Sequence, residues 1–151
     1  MTDVELPSLQ AMTETISGAG IAGEYESPVL GHFQSLVLKL KWRTVTRLGL
    51  LLLAPVQHSL QLRGSIQIMD STAGVLLTQA MQVDVRGQLK VFNPGKFEPG
   101  KPMEVDSDVE VARITIKLAG VVLVELDKFN MIFRVNGTDY LQAVRTDIGQ
   151  S

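Results

Sequence analysis

The chain has 151 residues, no cysteine and a formal net charge of −2. This length suits one domain with a hydrophobic core of its own. The lack of cysteine excludes disulfides, thiolate nucleophiles and cysteine-ligated metals. The slight acidic excess argues against a dedicated nucleic-acid binder, which usually carries a basic stripe. We expect neither a signal peptide nor a membrane anchor, because the N-terminus lacks the required pattern and the apolar run at 48–56 is too short.

Most of the chain alternates apolar and polar residues, the pattern of strands with one buried face. The alternating runs are residues 36–43, 60–68, 81–91, 109–118 and 129–135. A slip in the fourth run predicts a β-bulge at Ala112 and Arg113. Turn-forming residues separate the runs, at 70–74, 93–102, 119–120 and 136–137.

Residues 44–54 break the alternation and predict the one substantial helix. The segment starts with threonine, is rich in leucine and is followed by Pro55. One helical face would carry the apolar residues and pack against the sheet: Val45, Leu48, Leu51 and Leu52. About seven strands and one flanking helix predict a mainly β fold, an antiparallel β-sandwich or barrel.

Residues 18–32 contain five glycines or prolines and predict a long loop between two strands. Gly18, Gly20 and Gly23 match the G-x-G-x-x-G pattern of dinucleotide-binding proteins. That fingerprint needs a strand before it and a helix after it, whereas Glu24, Glu26 and a proline follow here. The pattern therefore predicts an ordinary loop and no cofactor. Loops of this length in compact domains usually have a function.

No other group of residues predicts catalysis or metal binding. His32 and His58 are the only histidines, and neither has a partner at a diagnostic spacing. Carboxylates two residues apart point to one face of a strand, which could suggest a metal or glycosidase pair but is more typical of a solvated face. These pairs are Glu24 and Glu26, Asp106 and Asp108, and Glu125 and Asp127. We therefore predict no catalytic residue, no metal site and no enzyme.

Several short motifs follow one another in a characteristic order along the chain. They begin with Val4-Glu5-Leu6-Pro7 and the glycine-rich segment, and continue with Leu62-Arg63-Gly64-Ser65 and Val85-Arg86-Gly87. They end with residues 125–130 and Val135-Asn136-Gly137-Thr138-Asp139-Tyr140-Leu141, then Arg145 and Ile148-Gly149. In this order and spacing the chain resembles the major tail tube protein family of contractile-tailed phages, the group of the P2-like phages.

The resemblance implies a single tail tube domain over residues 1–151, assembled in the bacterial host cytoplasm. Six copies would close into a ring, and rings would stack into a hollow tube inside a contractile sheath. The expected partners are further copies of the chain and the sheath, baseplate and tail-terminator proteins. The tube would conduct DNA in a virion without binding it specifically, or puncture an envelope in R-type bacteriocins. Members of the family usually carry a further N-terminal strand region before the Glu5-Leu6-Pro7 motif, so we expect this region to be shortened.

We predict that residues 18–32 form the contact between stacked rings, because glycines let the loop adapt and Tyr25 and Pro28 could anchor it. The residues of this self-assembly loop are Gly18, Gly20, Gly23, Glu24, Tyr25, Glu26, Pro28 and His32. Candidates for lining the lumen are Asp84, Arg86, Gln88 and Lys90. The alternatives are a monomeric β-sandwich binding module, a secreted type VI-like tube protein, and a small β-barrel hydrolase or cofactor binder.

Overall fold

The computed structural model describes residues 3–150. Its strands are β1 (Asp3–Glu5), β2 (Ala11–Ile16), β3 (Tyr25–Phe33), β4 (Val37–Trp42), β5 (His58–Asp70), β6 (Val75–Asn93), β7 (Val105–Leu118), β8 (Val121–Asp127), β9 (Ile132–Val135) and β10 (Thr138–Asp139). The helices are α1 (Arg47–Leu51) and α2 (Gln142–Asp147). Every strand pair in this part of the chain is antiparallel. The predicted mainly β, antiparallel fold is confirmed, but the strands of residues 3–150 form an open sheet and not a closed barrel.

Strand β7 is the centre of an eight-stranded sheet. One of its edges pairs with β6, while the other is shared by β4 at residues 105–110 and β8 at residues 113–118. Between the two, the Val111 N–H donates to the Leu36 carbonyl and the Ala112 carbonyl accepts from the Lys128 N–H. The sheet therefore divides at this point into a β1–β4 branch and a β8–β9–β10 branch.

The core lies on one face of this sheet. The predicted alternation places Leu38 and Leu40 of β4, Val83 and Val85 of β6, and Ile114 of β7 on that face, and all five are buried. Because long apolar side chains from β4, β6, β7 and β8 meet there, the core is one contiguous cluster. Trp42 and Leu52 complete it beside α1.

The predicted bulge and turns are confirmed. Arg113 pairs with Arg86 and Val111 with Gly87, so Ala112 is the extra residue on β7. Positive φ angles at Ala119, Gly120, Asn136 and Gly137 close the two tight hairpins. Both turns have φ above zero at their two central residues, which is the geometry that the right-handed twist of paired strands favours.

The helix prediction for residues 44–54 is wrong in extent and in orientation. Helix α1 has five residues, capped by the Thr46 side chain, which accepts from the Gly49 N–H at 3.1 Å. Of the predicted buried face, Val45 and Leu52 pack in or against the core, whereas Leu48 and Leu51 are exposed. Gly49 packs close to Trp42, so the helix approaches the core along its glycine and not along its leucines.

Four further elements differ from the predictions. The second helix α2 was not predicted. The alternating run at 129–135 is a strand only from Ile132, because the residues before it form a turn. The 18–32 loop is shorter than expected, because β3 begins at Tyr25 and pairs with β2. Strand β6 begins at Val75, six residues before the predicted run at 81–91, and extends β5 and β6 into one long hairpin.

Candidate assembly surfaces

The predicted self-assembly loop sits at the end of a separate two-stranded sheet formed by β2 and β3. Gly18, Gly20 and Gly23 have φ angles of +147°, +97° and +106° in the connection between the strands. No other part of the chain lies within 4 Å of the position of an added Cβ at any of the three. The loop is therefore open on all sides in one copy of the chain, and glycine gives it conformations that other residues rarely adopt.

The structure distributes the other predicted loop residues along this hairpin. Glu24 is exposed in the loop, and Tyr25, Glu26, Pro28 and His32 are exposed on β3. Tyr25 pairs with Ile16 across the hairpin, and the side chains of both residues are exposed. The hairpin thus brings the eight predicted residues onto one projecting element, although all eight were expected in a longer loop and four of them lie on β3.

The base of the β2–β3 hairpin is fixed to the C-terminal part of the chain. Gly31 has a φ of +69°, and a Cβ at this position would overlap the buried side chain of Leu141. The ring of Phe33 lies 5.1 Å from that of Phe133, centroid to centroid. Such aromatic pairs contribute beyond their buried area. The hairpin is therefore anchored at its base and free at its tip.

Strand β5 forms one edge of the main sheet. It pairs with β6 over all of its 13 residues, and its other edge has no strand partner within residues 3–150. An open edge of this length presents a row of backbone N–H and C=O groups that can pair with another chain. This edge and the β2–β3 hairpin are two long unpartnered β surfaces of the molecule's described part.

The end of the β5–β6 hairpin projects beyond the sheet. Strand β7 ends at Leu118, opposite Met81, so residues 65–70 and 75–80 pair only with each other. We call this segment the ribbon tip. Its apolar side chains are exposed: Ile66, Ile68, Met69, Val75, Leu76 and Leu77. This surface was not predicted from the sequence, although Asp70 is the only charged residue between Gly64 and Ala80.

The face of the main sheet opposite the core carries basic and acidic side chains that pair with each other. Glu125 accepts from Arg113 at 2.8 Å and from Arg134 at 3.1 Å. Lys117 lies 3.8 Å from Asp84. The predicted lumen residues Asp84, Arg86, Gln88 and Lys90 lie on the polar side of β6, away from the buried Val83 and Val85. These groups form a polar surface of mixed charge and no deep site.

The carboxylate pairs have structural roles. Asp127 accepts from the N–H groups of Phe129 and Asn130 and shapes the turn after β8. Asp106 and Asp108 lie opposite Lys41 and Lys39 on β4. The solvated-face interpretation fits Glu24, Glu26 and Asp106, which are exposed. It is wrong for the third pair, because Asp127 is buried and the Glu125 side chain is only 14% exposed. No three metal-ligating side chains of residues 3–150 come together.

An ion pair holds α2 to the end of the sheet. The Arg145 guanidinium donates to the Asp139 carboxylate and to the Met131 carbonyl. The hydrogen bond from Arg145 holds the pKa of Asp139 below its ordinary value, and in turn raises the pKa of Arg145. Arg145 and Asp139 therefore hold helix α2 against the sheet. Leu141, the residue that packs against Gly31, lies directly before this helix.

The histidines do not meet. His58 begins β5 and its Nε2 lies 3.1 Å from the Ala54 carbonyl oxygen, whereas His32 is on β3.

None of the helices within residues 3–150 has the length and apolar content that crossing a bilayer requires.

Two comparisons with known proteins give matches over most of the chain. The family model of phage tail tube protein FII matches residues 1–149. The tail tube protein of Escherichia phage P2 is 30% identical over 160 aligned residues, which cover 97% of this chain and 85% of that protein.

Proposed function

This chain belongs to the phage tail tube protein FII family, and we propose that six copies close into a ring and that rings stack into the inner tube of a contractile tail. The family makes the chain a structural subunit of a tail tube and a component of the virion tail. The ring of six, the stacking contacts and the individual partners are the proposed part.

The observation that carries the proposal is the pair of unpartnered β surfaces. A two-stranded hairpin is marginally stable alone in water. Yet β2 and β3 expose Met12, Tyr25 and Leu30 on a hairpin that is anchored only at its base. Both surfaces lack a strand partner, and a neighbouring copy can supply one. The β2–β3 hairpin of one copy can extend the main sheet of the next at the open edge of β5.

Such a contact joins two different surfaces of the same chain, so it is heterologous. Heterologous contacts close into a ring when the rotation between copies fits, and otherwise continue as a helix. Permanent interfaces of this kind bury on the order of 2,000 Å² or more. The proposed ring therefore uses the hairpin of one copy and the β5 edge of the next.

We propose that the glycine-rich loop at the tip of the β2–β3 hairpin contributes to stacking between rings. Gly18, Gly20 and Gly23 give it freedom to adapt, and Tyr25 offers a large exposed ring. The remaining members of the proposed set, Glu24, Glu26, Pro28 and His32, lie on the same hairpin.

The charged face of the main sheet suits a conduit through which DNA passes without being held. Each phosphate contact by a free cation adds affinity through counterion release. Here Glu125 engages Arg113 and Arg134, and Asp84 lies near Lys117, so several cations already have carboxylate partners. We propose that this face lines the bore, that the chain has no enzymatic role, and that sheath, baseplate and tail-terminator proteins contact other surfaces.

Size-exclusion chromatography followed by negative-stain microscopy tests the proposal. Rings with six subunits, and tubes made of stacked rings, are expected from the purified chain. A species that stays monomeric at high protein concentration, with no ring in micrographs, would instead support the monomeric binding module.

A further inference from the structure

The exposed apolar surface of the ribbon tip is a continuation of the core face. Directly opposed residues of antiparallel strands share a face, so Ile68 and Leu77 lie on the same side as the core residues Leu62 and Val83. In the body of the protein that side is covered, whereas in the ribbon tip it is open to solvent. On the opposite side, Gln67 pairs with Thr78, and Met69 pairs with Leu76 at the end of the ribbon tip, where apolar side chains are exposed on both faces. The face that continues the core side is therefore apolar and has no cover within residues 3–150.

A second apolar surface lies at the base of the same hairpin. Beside α1 is a groove of about 360 Å³, lined chiefly by Leu40, Trp42, Leu48, Leu52, Leu60 and Leu62. It lies between β4 and β5, which do not pair with each other within the described residues. Leu48 on its rim is 61% exposed, and no charged residue occurs from Leu48 to Gln57. We call this surface the α1 groove.

We propose that the ribbon tip of one copy docks in the α1 groove of a second copy. The contact cannot form within one chain. Leu62 in the groove and Ile68 in the ribbon tip belong to one continuous strand and lie roughly 20 Å apart at about 3.3 Å per residue. Contiguous exposed apolar surfaces of this kind mark interaction sites.

The charges of the two surfaces identify the occupant as a second copy of the chain. Asp70 is the one charged residue from Gly64 to Ala80, and Arg47 is the one charged residue from Thr44 to Gln57. Asp70 Oδ1 caps the turn by accepting from the Thr72 N–H, which leaves Oδ2 available. Arg47 is exposed and has no carboxylate partner within residues 3–150. One negative and one positive group therefore face each other in the docked pair.

When the ribbon tip of one copy docks in the α1 groove of the next, the two copies are displaced from each other along the axis of the β5–β6 hairpin. A heterologous contact with such a translation does not close and continues as a stack. This inference rests on the proposed function: the hairpin of β2 and β3 closes the ring, and the ribbon tip joins one ring to the next.

Disulfide trapping tests the contact, because the natural chain has no cysteine. One chain carries Leu77→Cys in the ribbon tip and the other, with a tag of different mass, carries Leu48→Cys at the groove rim. The two are mixed under assembly conditions and oxidised mildly. A disulfide requires Cα atoms about 4.4–6.8 Å apart, so we expect roughly tenfold more mixed dimer than with a control pair. The control replaces Leu77→Cys by Thr78→Cys, the next residue on the opposite face.

Micrographs of the same samples separate the two proposals. Tubes without the mixed disulfide, or with only Leu77→Cys pairs among themselves, would overturn the docking while leaving the tube function intact. Absence of rings and tubes with the unmodified chain would overturn the tube function itself. A second variant, Ile68→Ser with Leu77→Ser, changes only exposed side chains. It is expected to leave rings and abolish long tubes, and long tubes at the unmodified yield would contradict the docking.

Discussion

Replacing Gly31 by alanine should weaken the anchor of the β2–β3 hairpin. At a φ of +69° a residue with a Cβ is strained by about 1–2 kcal/mol. The added methyl group would also overlap the side chain of Leu141, which is only 4% exposed and has little room to move. Overpacking of this kind costs about 1–3 kcal/mol. The expected loss in the free energy of unfolding is therefore about 2–5 kcal/mol.

Thermal and urea unfolding of the unassembled chain measures this loss. A change of about 3 kcal/mol lowers the Tm of a domain of this size by roughly 6–12 °C. The matched control is Gly64→Ala, because Gly64 has no positive φ and no atom within 4 Å of an added Cβ. It should change stability by no more than about 0.5 kcal/mol.

Leu141→Ala distinguishes overlap from backbone strain. Alone it should destabilise by about 2–5 kcal/mol, because it empties a buried site. In the Gly31→Ala background it also removes the overlap, so the two losses should fall short of additivity by about 0.5–3 kcal/mol. If Gly31→Ala is as stable as Gly64→Ala, or if the two losses are additive, the hairpin is not anchored through this contact.

Deleting residues 20–26 should leave a folded subunit that forms no long tubes, because all seven residues are exposed and only Tyr25 and Glu26 among them pair with another strand, β2; micrographs with tubes of normal length would contradict this. The depressed pKa of Asp139 stabilises the fold above its ordinary range, and this contribution is lost as pH falls through the folded-state pKa, below about pH 4. Asp139→Asn should therefore flatten the dependence of unfolding free energy on pH in that range, and an unchanged profile would refute the role of Arg145. Asn136→Ala, at a φ of +51°, should cost about 1 kcal/mol in urea unfolding without affecting assembly.

Local patterns in the sequence sufficed for the strands and tight turns. Alternation of apolar and polar residues identified the buried faces of β4, β5, β6 and β7, because successive side chains of a strand point to opposite sides. The bulge at Ala112 was visible because one extra residue shifts that alternation. The order of motifs was enough to identify the family, which the comparisons confirm.

The leucines after Thr46 and the residues of the ribbon tip could not be assigned in the same way. Apolar residues at helical spacing predicted a buried face at 44–54, yet Leu48 and Leu51 are exposed because Gly49 lets the short helix approach Trp42 on another side. The ribbon tip has apolar side chains on both faces at its end, Leu77 on one and Leu76 on the other, so alternation fails there. The candidate loop was found from its glycines, while its anchor at Leu141 depends on a contact more than a hundred residues away.

The sequence by itself determined strands β4 to β7, the tight turns and the family to which the chain belongs, since these follow from residues that are close together or from an ordered set of motifs. Only the tertiary structure decided which faces remain uncovered: the open edge of β5, the β2–β3 hairpin, the ribbon tip and the α1 groove. The reason is that a strand's pattern marks a face that avoids water, but whether the same chain covers that face depends on which distant elements come to lie on it.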